Sequence, residues 1–433
     1  MIKHLLKIVW NRKRANIFVV TEIALSLLVV FIVAVFAIYY LKNYISPLGY
    51  DYENVISIDV YTDNFYPIQI DAYRDKSDNQ KEDNYKKIGL LKRALKELSE
   101  VETVAYAGQV PHNYGSMVIS FTYKNTEFSS LTTLVDTDFA AVMRLKQVQG
   151  RWFLEEDKLL TETPIVINER FAKQIFGSED ATGKVIISEK KETDAQSSMN
   201  QGKFRVIGVI SEYREGGDLA EPKNFMFRLV RSSEQVYNPG LLVRLKPGTT
   251  VDFEEQILKK LNQENPSYTY HLELLSEMRV KKIKRLIGPI ISMGLVGVFL
   301  VLMVAFGLIG VLWQSITQRT KEIGLRRANG ATSLDIYKQI LGEVTIITLL
   351  GLLLGSVLVA NLYLLNIDLL NMFSVTRFER KFLAEASNLS ALQLFFSSFL
   401  ASCIFIYLLT FLCAAYPSYL AAKVKPAEAL HCD

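Results

Sequence analysis

Ile17 to Tyr40 reads IFVVTEIALSLLVVFIVAVFAIYY, an apolar run interrupted by one charge, Glu22. As a helix rising about 1.5 Å per residue it would be about 36 Å long, enough to cross a hydrocarbon layer of roughly 30 Å. A cleaved signal peptide would carry a shorter apolar core of about 7 to 15 residues followed by a small-residue cleavage site, and the run matches neither feature. A retained anchor is expected. Three further runs, 290–315, 344–365 and 392–416, are each long enough to span and nearly free of charge. The fold class that follows is a membrane α-helical protein of four transmembrane helices, with a large α+β domain inserted between helices 1 and 2. Composition agrees: the 433 residues are 50% hydrophobic yet 22% charged, with mean hydropathy +0.17, too apolar for an average soluble chain and too charged for one wholly in lipid.

Lys and Arg in the short flanks set the expected orientation. Lys3, Lys7, Arg12, Lys13 and Arg14 precede the first run, Arg319, Lys321, Arg326 and Arg327 lie between the second and third, and Lys423 and Lys425 follow the fourth. All three clusters fall on one side of the membrane, which is expected to be the cytoplasm, with both termini there and the inserted domain outside. Residues 1–15, with Ile2, Leu5, Leu6, Ile8, Val9 and Trp10 among basic residues, suit an amphipathic helix on the inner surface. The remaining segments are a first transmembrane helix over 16–40, the inserted domain over 41–285 and a membrane region over 286–433, ending in a cytoplasmic tail over 417–433. Arg279, Lys281, Lys282, Lys284 and Arg285 run against the charge rule, but they end a long translocated domain, where that rule is weak. They read as a stalk joining domain to membrane, compatible with contact to outer headgroups, and Gly288-Pro289 offers a bend before the second span.

The insert alternates strand and helix signals. Strands are expected at 54–60, 118–123, 185–187, 204–210 and 241–245, and helices at 85–99, 169–176 and 253–261. The polar stretch 188–203 reads as a loop or hairpin tip. Cys403 and Cys413 lie in an apolar run and Cys432 in the tail, so the insert must fold without disulfides. The small net charge of +4 gives no footprint for nucleic acid.

Between the second and third spans, coupling-loop residues 318–335 read QRTKEIGLRRANGATSLD. Arg319 to Ala328 can form a short charged helix with Ile323, Leu325 and Ala328 as apolar contacts, and Gly330 supplies the permissive backbone for its end. Thr332 followed by Asp335 is a capping-box start for the next helix. A compact helix held at the base of two spans can transmit force.

RTKEIGLRRANGAT resembles the coupling segment of the FtsX/MacB-like ABC permeases, the lipoprotein-release and macrolide-efflux type, at Arg319, Lys321, Glu322, Ile323, Gly324, Arg326, Arg327, Ala328, Gly330 and Ala331. Leu325 lies within the same segment. GRWF at 150–153, VINERFAKQIFG at 166–177, TGK at 182–184 and FRVIGVI at 204–210 resemble the family's extracytoplasmic domain, and YPSYLAAKVKPAEAL at 416–430 resembles its cytoplasmic tail. The resemblance implies a permease subunit in the inner membrane whose short loop docks on an ABC ATPase subunit. It further implies a second permease subunit, as homodimer or heterodimer, with an extracytoplasmic adaptor or hydrolase as a further candidate partner. A regulatory protein that passes force to such a hydrolase without transport is the alternative within that reading.

No G-x-x-x-x-G-K-[ST] phosphate loop, H-E-x-x-H or G-x-S-x-G occurs, and His4, His112, His271 and His431 are scattered. The chain is expected to be no enzyme and to hold no cofactor, with ATP bound by the partner subunit. Glu22 is a functional candidate by its depth, set against a reach to the inner interface or a pair with Lys13 or Arg14. Gly351 and Gly355 form a G-x-x-x-G that suits helix packing within one subunit as well as between two. Glu343 and Trp313 read as interface residues.

Overall fold

The computed structural model describes residues 10, 13–61, 78–112, 117–124, 126–188, 202–231, 240–249, 253–365 and 388–423. The surface helix expected over 1–15 falls largely outside the described residues, as do most of the loop expected at 188–203 and the chain beyond 423. Two compact units divide the chain, Met1–Lys42 with Gly288–Asp433, and Asn43–Ile287.

In the first unit, helices Lys13–Ile45, Leu275–Thr317, Ser333–Leu364 and Asn388–Lys423 each contain a stretch long and apolar enough to cross a membrane. The helix carrying the second span begins within the inserted unit and is continuous through Gly288-Pro289, where the sequence offered a bend. In a membrane helix neighbouring groups can satisfy a carbonyl that proline leaves free, so the residue need not end the helix. Pro417 likewise lies inside the last helix, which carries on to Lys423.

Val19, Ile23, Leu27 and Val30 of the first span form a core with Leu308, Val344, Ile347, Ile406 and Ala414. Gly351 and Gly355 bring the third span onto the first. A Cβ on Gly351 would lie 2.6 Å from Ile23 Cγ2, and one on Gly355 would lie 3.0 Å from the Ala24 carbonyl oxygen. Packing within this one chain therefore accounts for the G-x-x-x-G.

The strands of the inserted unit are β1 (Val55–Tyr61), β2 (Val101–Ala107), β3 (Met117–Tyr123), β4 (Thr126–Val135), β5 (Gln147–Gly150), β6 (Thr163–Asn168), β7 (Val185–Ser188), β8 (Gly202–Ile210), β9 (Phe225–Leu229), β10 (Gly240–Leu245) and β11 (Thr269–Leu274). Four of them run antiparallel in the order β11-β1-β10-β2. Beyond β2 the order β4-β3-β7-β8-β6-β9 returns to β4, closing a ring through the parallel β4–β9 and β6–β8 pairs. Strand β5 pairs with β8 outside that ring. Ser188 pairs with Gly202, the last pair of β7 with β8.

Alternation along β10 shows how the four-stranded sheet is covered. Leu241, Val243 and Leu245 face helices Asp78–Lys96 and Phe253–Glu264, through Ile88, Leu91, Leu95, Phe253, Ile257 and Leu261. Leu242 faces the other way, toward Phe139, Val142 and Met143 of the short helix Phe139–Met143. Arg244, on that second face and 1% exposed, donates to the carbonyls of Val142, Glu53 and Asp51. The ring has its own core, where Ile119, Ile165, Ile167 and Val206 meet Phe171 and Phe176 of helix Glu169–Phe176.

Candidate functional site

The loop between the second and third spans folds as its residues dictate. Thr320–Ala328 is helical. Its end is a left-handed glycine closure: Gly330 has φ +95°, its N–H donates to the Arg327 carbonyl at 3.1 Å, and the Ala331 N–H reaches the Arg326 carbonyl at 3.1 Å. The next helix opens on reciprocal bonds, the Asp335 N–H to Thr332 Oγ1 at 3.2 Å and the Thr332 N–H to Asp335 Oδ2 at 3.2 Å.

One side of this short helix is seated. Ile323, 5% exposed, enters a small core of Ile336 and Ile340 from the third-span helix and Ala421 and Ala422 from the last, and Gly324 beside it is buried. The expected apolar set is split between two faces. Leu325 is 55% exposed and Ala328 is exposed too. At about 100° per residue they stand about 200° and 140° around the helix from Ile323, so the three cannot share one contact face. Leu325 and Ala328, three apart, form a small outward apolar spot beside a Glu322–Arg326 ion pair of 2.6 Å. Lys321 lies in the helix, but its side chain falls outside what is described. Arg319, expected to be part of the same surface, instead points inward: its Nη1 lies 2.5 Å from Glu343 Oε2 of the third-span helix.

The basic cluster before the second span is also tied down at its start, by a segment that sequence reasoning passed over. Arg214, 2% exposed, donates through Nη1 to the carbonyls of Asn43 and Ser46 at 2.8 Å each, and through Nη2 to those of Asp218 and Ala220. Asn43 Nδ2 returns a bond to the Leu219 carbonyl at 3.3 Å. Arg279 then grips the Asp218 carboxylate with two bonds of 2.9 and 2.7 Å and donates to the Tyr52 hydroxyl at 2.6 Å. Residues 214–220 thus strap together the two ends of the inserted unit, the chain entering at Asn43–Tyr52 and the chain leaving at Arg279. Burial alone would raise the Asp218 carboxyl, but the bonds and charge of Arg279 outweigh it and hold it below the usual carboxylate range.

His112 lies under the strap with Nε2 3.0 Å from the Tyr50 hydroxyl, and a Cβ on Gly217 would come within 2.8 Å of its Nδ1. Burial first, then the charges of Lys282 and Arg279, push its pKa from the usual 6.5 down to about 4 against the pull of Asp218. Lys281 pairs with Glu273 at 2.9 Å, and Lys284 and Arg285 are exposed.

Glu22 is half-buried against the second span, its Oε1 2.2 Å from where a Cβ on Gly307 would lie. Gly307 leaves room for that carboxylate. The alternative pairing with Lys13 or Arg14 involves side chains outside the described residues. Among the described residues no group of three His, Cys, Asp or Glu side chains is placed to hold a metal ion.

Comparison with known proteins bears on both units. The MacB-like periplasmic core domain model matches residues 19–260, and the FtsX-like permease C-terminal model matches 294–426. The chain is 25% identical over 316 residues, 71% of its length, to a macrolide export ATP-binding/permease protein, MacB 2, of Aeromonas hydrophila subsp. hydrophila, covering 44% of that protein. It is 26% identical over 276 residues, 61% of its length, to the pyoverdine export ATP-binding/permease protein PvdT of Pseudomonas savastanoi pv. phaseolicola, covering 39% of it. The chain therefore spans less than half the length of these relatives. The periplasmic region of MacB from Actinobacillus actinomycetemcomitans aligns with 55% of this chain and 97% of its own, at 16% identity and a TM-score of 0.35. With one model matching more than half of its residues and the other matching most of the remainder after it, the chain belongs to the MacB-like, FtsX-like permease family of ABC transporters.

Proposed function

We propose that this chain is the permease part of an ABC-type exporter, driven by ATP hydrolysis on an ATPase that this sequence does not contain. The segment Arg319 to Ala331 is the docking element. The observation that carries this reading is the divided face of the short helix, with Ile323 seated inward and Leu325 held outward beside the Glu322–Arg326 pair. An exposed leucine flanked by charges on a braced helix suits a protein partner, since a central apolar anchor with a polar rim is how such contacts gain affinity. In this reading the element lies in the cytoplasm, both termini are cytoplasmic and the inserted domain is on the far side of an inner membrane. ATP-driven closure of two ATPase subunits moves the element in each of two permease copies. The helix carrying the second span, Leu275–Thr317, hands that motion to the inserted domain, where substrate is handled. The names of the relatives, export proteins for a macrolide and for pyoverdine, support export over regulation without transport.

Leu325→Glu is expected to weaken capture of the ATPase by about 5- to 150-fold, a loss on the order of 1 to 3 kcal/mol. Co-purification with the ATPase and the coupled ATPase rate in nanodiscs measure it. Full retention of both would reduce the segment to a basic connector.

A further inference from the structure

Arg319 and Glu343 lie 24 residues apart in sequence and meet at the root of the coupling helix, with side chains only 13% and 5% exposed. The contact is more than a passing surface pair. Glu343 accepts from Arg319 Nη1 at one carboxylate oxygen and from Gln339 Nε2 at the other, 3.1 Å away. Arg319 Nε is itself buried without a hydrogen-bond partner among the described residues, so the guanidinium is drawn in from solvent and not lying along the surface. Charged groups give up solvation only where geometry repays them, and removing one member of such a pair takes that compensation from the other.

The position makes the pair mechanical. Arg319 is the residue at which the coupling helix starts, and its carbonyl accepts the Ile323 N–H at 2.9 Å. Glu343 lies two turns and more into the helix that carries the third span, which begins at Ser333. The other end of the coupling helix is fixed to the same third-span helix by the Gly330 turn and the Thr332–Asp335 cap. Ile323 holds the middle of the short helix in a core of a few small side chains, and Arg319 ties its start to the third-span helix.

We infer that Arg319 and Glu343 are a positioning pair that pins the start of the coupling helix to the third-span helix. Arg319 then works inward and lies outside the surface offered to the ATPase. The pinned helix presents Leu325 in one orientation and moves with the third span as one piece. The inference rests on the proposed function only for what the helix docks on, not for the pinning itself.

Hydrogen exchange read by mass spectrometry on the full chain in nanodiscs, without ATPase, tests it. Glu343→Gln and Arg319→Ala should each speed exchange of the amides in 320–331 by about tenfold or more, as expected when a buried pair loses one member. Exchange in β1, β10 and the first span should be unchanged. The charge-reversed double variant R319E/E343R should return 320–331 to near its original rate, which a merely space-filling role would not do. Unchanged exchange in Glu343→Gln, a rise spread over all four spans, or no rescue by the double variant would each overturn the pair's role. Leu325→Glu separates the two readings, because it should leave exchange in 320–331 unchanged while losing the ATPase. If Leu325→Glu keeps the ATPase, the docking surface is wrong and the pinning stands.

Discussion

Arg214 donates to four backbone carbonyls, two from the far end of the strap and two from the chain entering the inserted unit. No smaller residue can replace it, since truncation strands several buried acceptors at once. Arg214→Ala should therefore cost on the order of 3 to 5 kcal/mol, measured as a drop in thermal stability of the full chain in nanodiscs. His112 adds a pH dependence of defined sign. Its pKa is about 4 when folded against 6.5 when free, so the unfolded chain binds the extra proton between those values. The stability that neutral His112 represents is complete above pH 6.5 and drains away as pH falls toward about 4, by roughly 3 kcal/mol in all. His112→Gln should flatten that part of the stability profile relative to the unaltered chain, whereas identical slopes from pH 4 to 6.5 would remove His112 as the source. Little of this was readable in sequence. Arg214 and Asn43 are 171 residues apart, and Asp218 and Arg279 are 61 apart. Local periodicity carries no trace of contacts at such separations.

Among the elements, those with a strong local period were legible. The four spans are long apolar runs, and helix Glu169–Phe176 sits where its spacing and its Asn168 cap place it, with Asn168 Oδ1 accepting the Phe171 N–H at 3.2 Å. Two of the overlooked strands, β4 and β9, lack that signal. β4 is TEFSSLTTLV, whose serines and threonines dilute the alternation, and β9 is FMFRL, buried on both faces and too short to tell from a helical fragment. The short helix Thr320–Ala328 was legible, yet its faces were not, because Ile323, Leu325 and Ala328 look like one set until the helical angle is applied. Close approach of the first and third spans gives a sharp test at this scale. Gly351→Ile would drive its side chain into Ile23 and the Val20 carbonyl, 2.6 and 3.2 Å from the first added carbon. A loss of about 1 to 3 kcal/mol is expected, seen as a lower unfolding temperature in nanodiscs, while the same change at Gly310, where a Cβ meets nothing within 4 Å, should be nearly neutral.

For the molecule as a whole, the proposed function has an ATPase's motion turned into work by the inserted domain on the far side of the membrane. That requires the coupling helix and the inserted domain to lie on opposite sides of the bilayer. Single cysteines placed at the exposed Lys203 and Thr332, in a background lacking the native cysteines, should respond differently to an impermeant maleimide in intact cells. Lys203 should be labelled and Thr332 only after lysis. The most direct test of the central claim is photocrosslinking from the coupling helix itself. A photoreactive residue at Leu325, 55% exposed, should crosslink to an ATPase subunit identified by mass spectrometry, more strongly when ATP is bound, whereas the same group at Ile323, 5% exposed, should find only residues of this chain. Equal crosslinking from both positions, or none to an ATPase from Leu325, would contradict the docking of this helix on the motor.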